Sequence, residues 1–327
     1  METPPEHTEP PDPSRRPTWL VPVGLGLAYG VVARLVFGLE LAGDWFGVMT
    51  LAFIFLVPGV VGALTVLEAD EEPGWLASAF VPWVPTFLGI AAALLLAWEG
   101  LICAVVWIPA ALLSSSVGGL LGKMTRRIHD APRRPLALML AMLPIVVAPV
   151  ENRLPDAVRT RTVHDAIEIE ADAAAVWREI REVAPIRPDE LGESLAYRIG
   201  FPRPIEATLE GEGVGAVRHA TFEGGVTFVE RVTEWEENRS LAFTIDASAV
   251  PSTTFDQHVA VGGPYFDVLM GRYEIEPAGP GRVVLHLTSE QRLATRFNAY
   301  TQLWTDRFMS DIQSTILEVV KARAEAG

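Results

Sequence analysis

The sequence has little cysteine and little positive charge, and each shortage excludes a class of protein. Its single cysteine, Cys103, rules out an intramolecular disulfide and cannot complete a cysteine-rich zinc site. Lysine and arginine number 26 against 41 aspartate and glutamate residues, which gives a net charge of −15. A nucleic-acid-binding surface needs clustered basic side chains to neutralise phosphates, so we do not expect nucleic acid as a partner.

The motifs of common catalytic and metal sites are also missing. No Gly-x-Ser-x-Gly elbow is present, and His164, His219, His258 and His286 are scattered without the spacing of metal ligands. Glycine occupies every second position of residues 211–215, but this segment joins two predicted strands and precedes no helix. A hairpin turn is therefore expected there, and we expect neither a metal ion nor another cofactor.

Apolar residues are plentiful and are concentrated in the first half of the chain. Half of all residues are hydrophobic, and the mean hydropathy is +0.26 despite the acidic balance. Such segregation predicts a membrane region over residues 18–152 and a separate water-soluble domain over residues 161–327, which we expect to fold alone. Residues 1–17 are rich in proline and acidic residues and predict a disordered tail rather than a cleavable signal peptide.

Four or five apolar segments approach the roughly 20 residues that a helix needs to cross a membrane. Residues 19–39 and 47–67 form the first two. The next apolar stretch, residues 75–121, accommodates two spans with a turn at Glu99. In a competing division, residues 87–110 form one span with Glu99 near its middle.

The last apolar segment, residues 136–150, decides the side on which the soluble domain lies. It is short and contains two prolines, so it either crosses the membrane or is re-entrant. It follows the densest basic loop, residues 123–134, which the positive-inside rule places in the cytoplasm. A crossing would put the soluble domain outside the cytoplasm, and that is the arrangement we predict; a re-entrant segment would keep it inside.

Arg34 and Glu99 are ionisable residues within or beside the predicted spans. Such groups are costly at membrane depth and are then usually paired or functional. In the alternative interpretation, Arg34 extends to the membrane interface and Glu99 lies in a turn. Residues 114–119 contain three serines and two glycines, which predicts close packing between helices.

The second half has the pattern of an antiparallel sheet closed by a helix. Residues 163–170 predict a strand, a helix capped by Asp172 follows, and six further strands are predicted over residues 205–292. Most of the connections are short, which favours antiparallel pairing. Residues 296–324 predict a long closing helix whose apolar stripe includes Trp304.

This order of elements resembles the START-like helix-grip superfamily, also called SRPBCC, and in particular its polyketide cyclase/dehydrase-like members. The resemblance is carried by the closing helix and by three segments: IEIEADAAAVWREI (167–180), GVGAVRHATFEGGVTFVERVTEWEENRSLAF (213–243) and YFDVLMGRYEIEP (265–277). It implies a curved sheet wrapped on the last helix, with a cavity for an apolar ligand between them. The predicted fold is thus an α-helical transmembrane bundle followed by an α+β helix-grip domain.

Polar residues on the strands that face such a cavity are the candidate ligand-binding residues. They are Arg218 or His219, Glu230 or Arg231, and Tyr273, because alternation lets only one neighbour of each pair point inward. In a different arrangement, Arg218 and Glu230 form a cross-strand ion pair on the outer face of the sheet.

Two further candidates lie outside the strands. His258 belongs to the long connection 247–264, the kind of loop that covers a cavity, although a loop histidine is more often only solvated. Trp304 is expected to line the cavity from the closing helix.

The function predicted from these features is binding of a hydrophobic small molecule or lipid by a domain anchored in the lipid bilayer, without catalysis. One rival is a cyclase or dehydratase that uses Glu230, Tyr273 or His258 as acid or base. The other is an interaction module whose cavity is filled by side chains such as Trp177 and Trp304.

Overall fold

The computed structural model describes residues 19–39, 45–128, 133–155, 157–248, 250 and 260–327. By their internal contacts the residues form two compact units. Of the described residues, the first unit contains 19–39, 45–48, 52–91, 110–128 and 133–152. The second unit contains 49–51, 92–109 and the described part of 153–327.

The first half of the described chain is helical. Its helices are α1 (Leu20–Phe37), α2 (Val57–Leu67), α3 (Trp75–Phe80), α4 (Trp83–Leu95), α5 (Leu101–Ile128) and α6 (Arg133–Glu151), and a π-helical turn, Ala52–Leu56, leads into α2. Among the described residues, three helical stretches are long and apolar enough to cross a membrane, judged by length and composition: Leu20–Phe37, Trp75–Leu95 and Leu101–Arg127. Two shorter apolar helices cover Ala52–Leu67 and Pro135–Glu151.

The helix boundaries decide between the two divisions of the third apolar stretch. α4 ends at Leu95 and α5 begins at Leu101, so Glu99 lies in the turn between them. A continuous span over residues 87–110 is therefore wrong, because it would bring a carboxylate to the middle of an apolar helix. Arg34 lies in the last turn of α1, where a cation interacts favourably with the helix dipole.

Two other apolar segments differ from the sequence pattern in detail. The segment predicted from residue 47 becomes helical only near the π-helical turn at Ala52. α6 runs unbroken from Arg133 to Glu151 although it contains Pro144 and Pro149. The carboxylate of Glu151 accepts a hydrogen bond from the backbone N–H of Ala52 at 3.0 Å, which satisfies a donor at the start of the second helix.

Small residues allow α5 to lie against α2 at backbone distance. A Cβ atom built on Gly118 would overlap the carbonyl oxygen of Gly59, and one built on Gly62 would overlap the carbonyl oxygen of Ser115. No side chain fits between backbones that approach so closely. The close packing predicted for residues 114–119 is confirmed.

The basic end of α5 is tied to the loop between α2 and α3. Lys123 Nζ donates to Glu72 Oε1 at 2.9 Å and to the carbonyl oxygen of Pro73, while Arg127 Nε donates to the same Glu72 oxygen at 2.8 Å. The hydrogen bonds from Arg127 and Lys123 lower the pKa of Glu72 to about 2. The α2–α3 loop and the basic end of α5 therefore lie at the same end of this helical unit.

The second unit contains a seven-stranded antiparallel sheet. Its strands are β1 (Arg159–Ile169), β2 (Pro204–Glu210), β3 (Val217–Phe222), β4 (Val226–Glu236), β5 (Ser240–Asp246), β6 (Phe266–Gly279) and β7 (Arg282–Leu293), in the spatial order β1-β7-β6-β5-β4-β3-β2. Two short helices, α7 (Ala173–Arg181) and α8 (Leu195–Arg198), separate β1 from β2, and α9 (Asn298–Ala326) closes the chain. The predicted order of strand, helices, six strands and long helix is confirmed.

Local sequence accounts for the ends of several elements. Asp172 Oδ1 accepts from the N–H of Ala175 at 2.8 Å and caps α7 as predicted. Gly211, Gly213 and Gly215 have φ of 85°, 83° and 93° in the β2–β3 turn. Residues with a side chain rarely adopt this backbone conformation, so glycine is favoured at all three positions of the turn, which joins two strands as predicted.

Helices α7 and α9 share one hydrophobic core with the inner face of the sheet. Ile180 of α7, Leu317 of α9 and the strand residues Leu241 and Leu285 are each at most 1% exposed. Burial of such a side chain contributes about 1.5–3 kcal/mol. The core occupies only part of the space between α9 and the sheet, and the remainder forms the site described next.

Candidate functional site

A cavity of about 180 Å³ lies within the second unit, between α9 and the sheet. Most of the residues that line it are aromatic or aliphatic, and they include Phe222, Phe228, Phe243, Phe266, Ile312 and Ile316. Ligand sites are commonly apolar hollows of this kind with a few polar groups. The polar groups therefore indicate how a ligand would be oriented.

The structure resolves both pairs of neighbouring candidates on β3 and β4. Arg218 and Glu230 line the cavity and are only 4% and 6% exposed, whereas His219 and Arg231 are not part of its wall. Arg218 and Glu230 are register partners, and Nη1 of the arginine lies 3.1 Å from Oε2 of the glutamate. The cross-strand ion pair considered from the sequence thus exists, but on the inner face of the sheet rather than the outer one.

Tyr273 of β6 extends the same polar cluster. Its side chain is buried, lines the cavity and accepts a hydrogen bond from Arg218. The guanidinium carbon of Arg218 also lies 5.1 Å from the ring centroid of Phe243, a cation–π contact. Three strands thus place one cation, one carboxyl group and one phenol together in a mainly apolar wall.

Burial controls the ionisation of this cluster. Desolvation raises the pKa of Glu230 above its usual range, and the positive charge of Arg218 opposes that shift. Desolvation likewise raises the pKa of the Tyr273 phenol, so this group stays neutral at ordinary pH. Among the described residues, Nε and Nη1 of Arg218 and Oε2 of Glu230 have no hydrogen-bond partner. The ion pair is close but is not aligned as a hydrogen bond.

Trp304 is not part of the wall, and the prediction that places the cavity beneath it is wrong. Its ring packs on Phe308 with centroids 5.7 Å apart, in a cluster that includes Ile199. The part of α9 that covers the cavity lies further along, at Met309, Ile312, Gln313 and Ile316. A row of four-residue steps turns by about 40° per step around a helix, so Trp304 and Ile316 face directions about 120° apart.

His258 lies outside the described residues. The structure adds two polar residues that the sequence patterns did not single out, Ser289 of β7 and Gln313 of α9. Both line the cavity, and their side chains hydrogen-bond each other. Gln291 Nε2 donates to the Ser289 hydroxyl at 2.6 Å. In the sequence, only the position of Gln313 next to Ile312, a residue of the apolar stripe of the closing helix, could have indicated that it lies near the cavity.

Two histidines that are far apart in the sequence are neighbours across β1 and β7. The rings of His164 and His286 stack with centroids 5.3 Å apart, and His286 Nε2 lies 3.2 Å from Glu276 Oε2. These residues do not line the cavity. Among the described residues, no group of three or more histidine, cysteine, aspartate or glutamate side chains is arranged to hold a metal ion.

Comparison with known proteins finds no matching family model and no matching curated protein. Solved structures with some likeness include norcoclaurine synthase from Thalictrum flavum, at 15% identity over 50% of this chain and 86% of that chain with a TM-score of 0.34. The Zhui aromatase/cyclase from Streptomyces sp. R1128 is 17% identical over 51% and 94% of the two chains, with a TM-score of 0.32. An uncharacterised protein from Rhizobium leguminosarum is 12% identical over 53% and 100%, with a TM-score of 0.33. At these values the likeness assigns no activity to the chain.

Proposed function

We propose that the chain is a membrane-anchored protein that binds a small, mainly apolar molecule in a helix-grip domain of the SRPBCC type. The observation that carries this proposal is the cavity of about 180 Å³ between α9 and the sheet. An apolar cavity of about 150 Å³ engineered in another protein binds benzene. The volume therefore favours a ligand of one or two fused rings, or a short chain of similar size, over a lipid with two acyl chains.

Exposed apolar side chains on the helical unit support membrane anchoring. Val21 of α1, Leu113 of α5 and Met139 of α6 are 76%, 68% and 72% exposed. Large apolar surfaces on α-helices of this length are usually covered by lipid or by another protein. We favour lipid because three helical stretches among the described residues have the length and composition to cross a bilayer.

We infer five crossings, made by α1, the π-helical turn with α2, α3 with α4, α5, and α6. The apolar part of α6, Pro135–Glu151, has 17 residues and is about 26 Å long, a few ångströms less than the roughly 30 Å of the hydrocarbon core. A re-entrant segment would require a break in the helix, and α6 has none. With Lys123 and Arg127 in the cytoplasm, an odd number of crossings places the N-terminus inside and the sheet domain outside.

A reporter that is active only in the cytoplasm should be active when it is fused within the basic loop, after Ile128. A reporter that is active only outside the cytoplasm should be active when it is fused after Arg161. The matched control is a pair of fusions flanking α5, after Glu99 and after Ile128, which should lie on opposite sides. If the fusions after Ile128 and Arg161 report the same side, α6 does not cross the membrane.

Filling the cavity is expected to abolish ligand binding. Ala220 lines the cavity and Thr221 next to it does not, so Ala220→Trp should occupy the hollow while Thr221→Trp leaves it open. With the full chain in lipid nanodiscs, naphthalene should bind saturably to the wild type and to Thr221→Trp. Its affinity for Ala220→Trp should be at least about tenfold lower, which corresponds to about 1.4 kcal/mol. Non-saturable uptake that is equal in all three proteins would contradict the proposal.

A second candidate function, a cyclase or dehydratase, is favoured by one observation. The pKa of Glu230 is raised by burial, as is common for a carboxyl group that transfers protons. Under that hypothesis Glu230→Gln would abolish turnover of a bound substrate while leaving its binding intact. The interaction-module alternative has less support, because Trp177 packs on Trp235 with centroids 5.1 Å apart and neither Trp177 nor Trp304 fills the cavity.

A further inference from the structure

We propose that the ligand of this cavity is a small apolar carboxylic acid, whose carboxyl group binds beside Arg218 and shares one proton with Glu230. The inference rests on the proposed ligand-binding function and specifies the polar end of the ligand.

The unmet hydrogen-bonding groups of the wall determine where the polar end of a ligand would lie. Arg218 offers Nε and Nη1 as donors and Glu230 offers Oε2 as an acceptor. Nη1 and Oε2 lie 3.1 Å apart as an ion pair, but among the described residues none of the three atoms has an aligned hydrogen bond. All belong to side chains that are more than nine-tenths buried and that line the cavity. A ligand that both accepts from Arg218 and donates to Glu230 would satisfy groups that are otherwise costly to bury.

A carboxyl group has the geometry that these two side chains require. Its two oxygens match the planar, forked donors of a guanidinium group. Its O–H, when protonated, can donate to the Glu230 carboxylate, or Glu230 can donate when the proton is on that residue instead. The aromatic and aliphatic remainder of the wall accommodates the apolar body of the same molecule.

Charge balance determines the number of protons involved. When Glu230 is ionised, Arg218 and Glu230 carry +1 and −1, so the empty cluster is neutral. A ligand carboxylate entering alone would leave one uncompensated negative charge in apolar surroundings, which is unfavourable. Binding of one carboxylate together with one proton from solvent keeps the cluster neutral, with two carboxyl groups holding a single proton next to one guanidinium group.

The direction of the pH dependence follows from this proton. Among the described residues, four titratable side chains line the cavity: Glu206, Arg218, Glu230 and Tyr273. Arg218 favours the ionised form of Glu230, whereas burial and the incoming carboxylate both favour the protonated form. Binding takes up a proton wherever the free Glu230 is ionised. Affinity for a carboxylate should therefore fall as pH rises above the pKa of free Glu230, by up to about tenfold per pH unit.

The test compares three probes of nearly the same shape, naphthalene, 2-naphthoate and 2-naphthamide, on the full chain in zwitterionic nanodiscs between pH 6 and pH 9. Nanodiscs that carry the Ala220→Trp variant measure how much of each probe partitions into the lipid, and that amount is subtracted. At pH 7 we expect 2-naphthoate to bind about tenfold to a hundredfold more tightly than naphthalene. Calorimetry in two buffers of different protonation enthalpy should show proton uptake for 2-naphthoate, approaching one proton at the alkaline end of the range, and none for naphthalene.

Two variants assign the effect to the cluster. Arg218→Met/Glu230→Leu removes both charges without leaving either one buried alone, and should lose both the preference for 2-naphthoate over naphthalene and the proton uptake. Arg231→Met, next to Glu230 on β4 and outside the cavity wall, should retain both.

The outcomes distinguish failure of the carboxylic-acid proposal from failure of the proposed ligand-binding function. If naphthalene binds the wild type no better than it binds Ala220→Trp discs, the proposed ligand-binding function fails. If naphthalene binds but 2-naphthoate has no advantage, or keeps it in the double variant, the carboxylic-acid proposal is overturned and the function stands. If 2-naphthamide binds more tightly than 2-naphthoate and takes up no proton, the carboxylic-acid proposal is overturned in favour of a neutral ligand.

Discussion

Replacing Glu230 alone by leucine should lower the free energy of unfolding by about 3–5 kcal/mol, because it leaves the Arg218 guanidinium buried without its counter-charge. Arg218 is 4% exposed and lies 3.1 Å from the Glu230 carboxylate. The measurement is thermal or denaturant unfolding of the full chain in detergent, and tryptophan fluorescence is the signal that monitors it. At this magnitude the single variant would fold poorly at elevated temperature.

The double variant Arg218→Met/Glu230→Leu provides the decisive comparison. Exchanging a buried ion pair for apolar side chains of similar size is often neutral or stabilising, so this variant should lose less than about 1 kcal/mol. Arg231→Met, one position away and outside the cavity wall, should change stability by no more than about 0.5 kcal/mol. Equal losses in the single and double variants would show that the pair holds the strands together rather than serving a ligand.

The sequence predicts the order of elements in the second unit well because the signals for strands and turns are local. Alternation marks the strands, and glycines with positive φ mark the β2–β3 turn. The face that each strand turns toward the cavity is harder to predict. On β4, Phe228, Glu230 and Val232 share one parity and Val229 shares the other with Arg231, so both faces carry apolar and charged residues and alternation alone does not decide between them.

Two features of the site depend on geometry that no local pattern encodes. The apolar stripe of α9 proceeds mainly in four-residue steps and therefore winds around the helix, so Trp304 at its beginning and Ile316 near its end have different neighbours. His164 and His286 meet because β1, the first strand along the chain, pairs with β7, the last. Such a long-range pairing follows from topology and leaves no signal in the spacing of the two residues.

In the helical unit the small residues of 114–119 are a local sequence signal that does correspond to contact, and a large loss of stability is expected there. Gly118→Leu should destabilise the helical unit by at least about 3 kcal/mol, because overpacking costs roughly 1–3 kcal/mol even where side chains can shift. Here the obstacle is the backbone carbonyl of Gly59, which cannot move without separating α2 from α5. The measurement is the midpoint of heat-induced loss of the monodisperse peak of the full chain in detergent.

The control is Gly24→Leu in α1, where a Cβ atom would have nothing within 4 Å. Both substitutions add the same apolar side chain to an apolar helix and remove the same glycine flexibility, so they differ only in what surrounds the new atoms. Gly24→Leu should be neutral or slightly stabilising. Gly118→Ala should already show a clear loss, since the first carbon added is the one that overlaps the Gly59 carbonyl. If Gly118→Ala and Gly24→Leu have the same midpoint as the wild type, α2 and α5 are not in backbone contact, and the helical bundle must be held together through other surfaces.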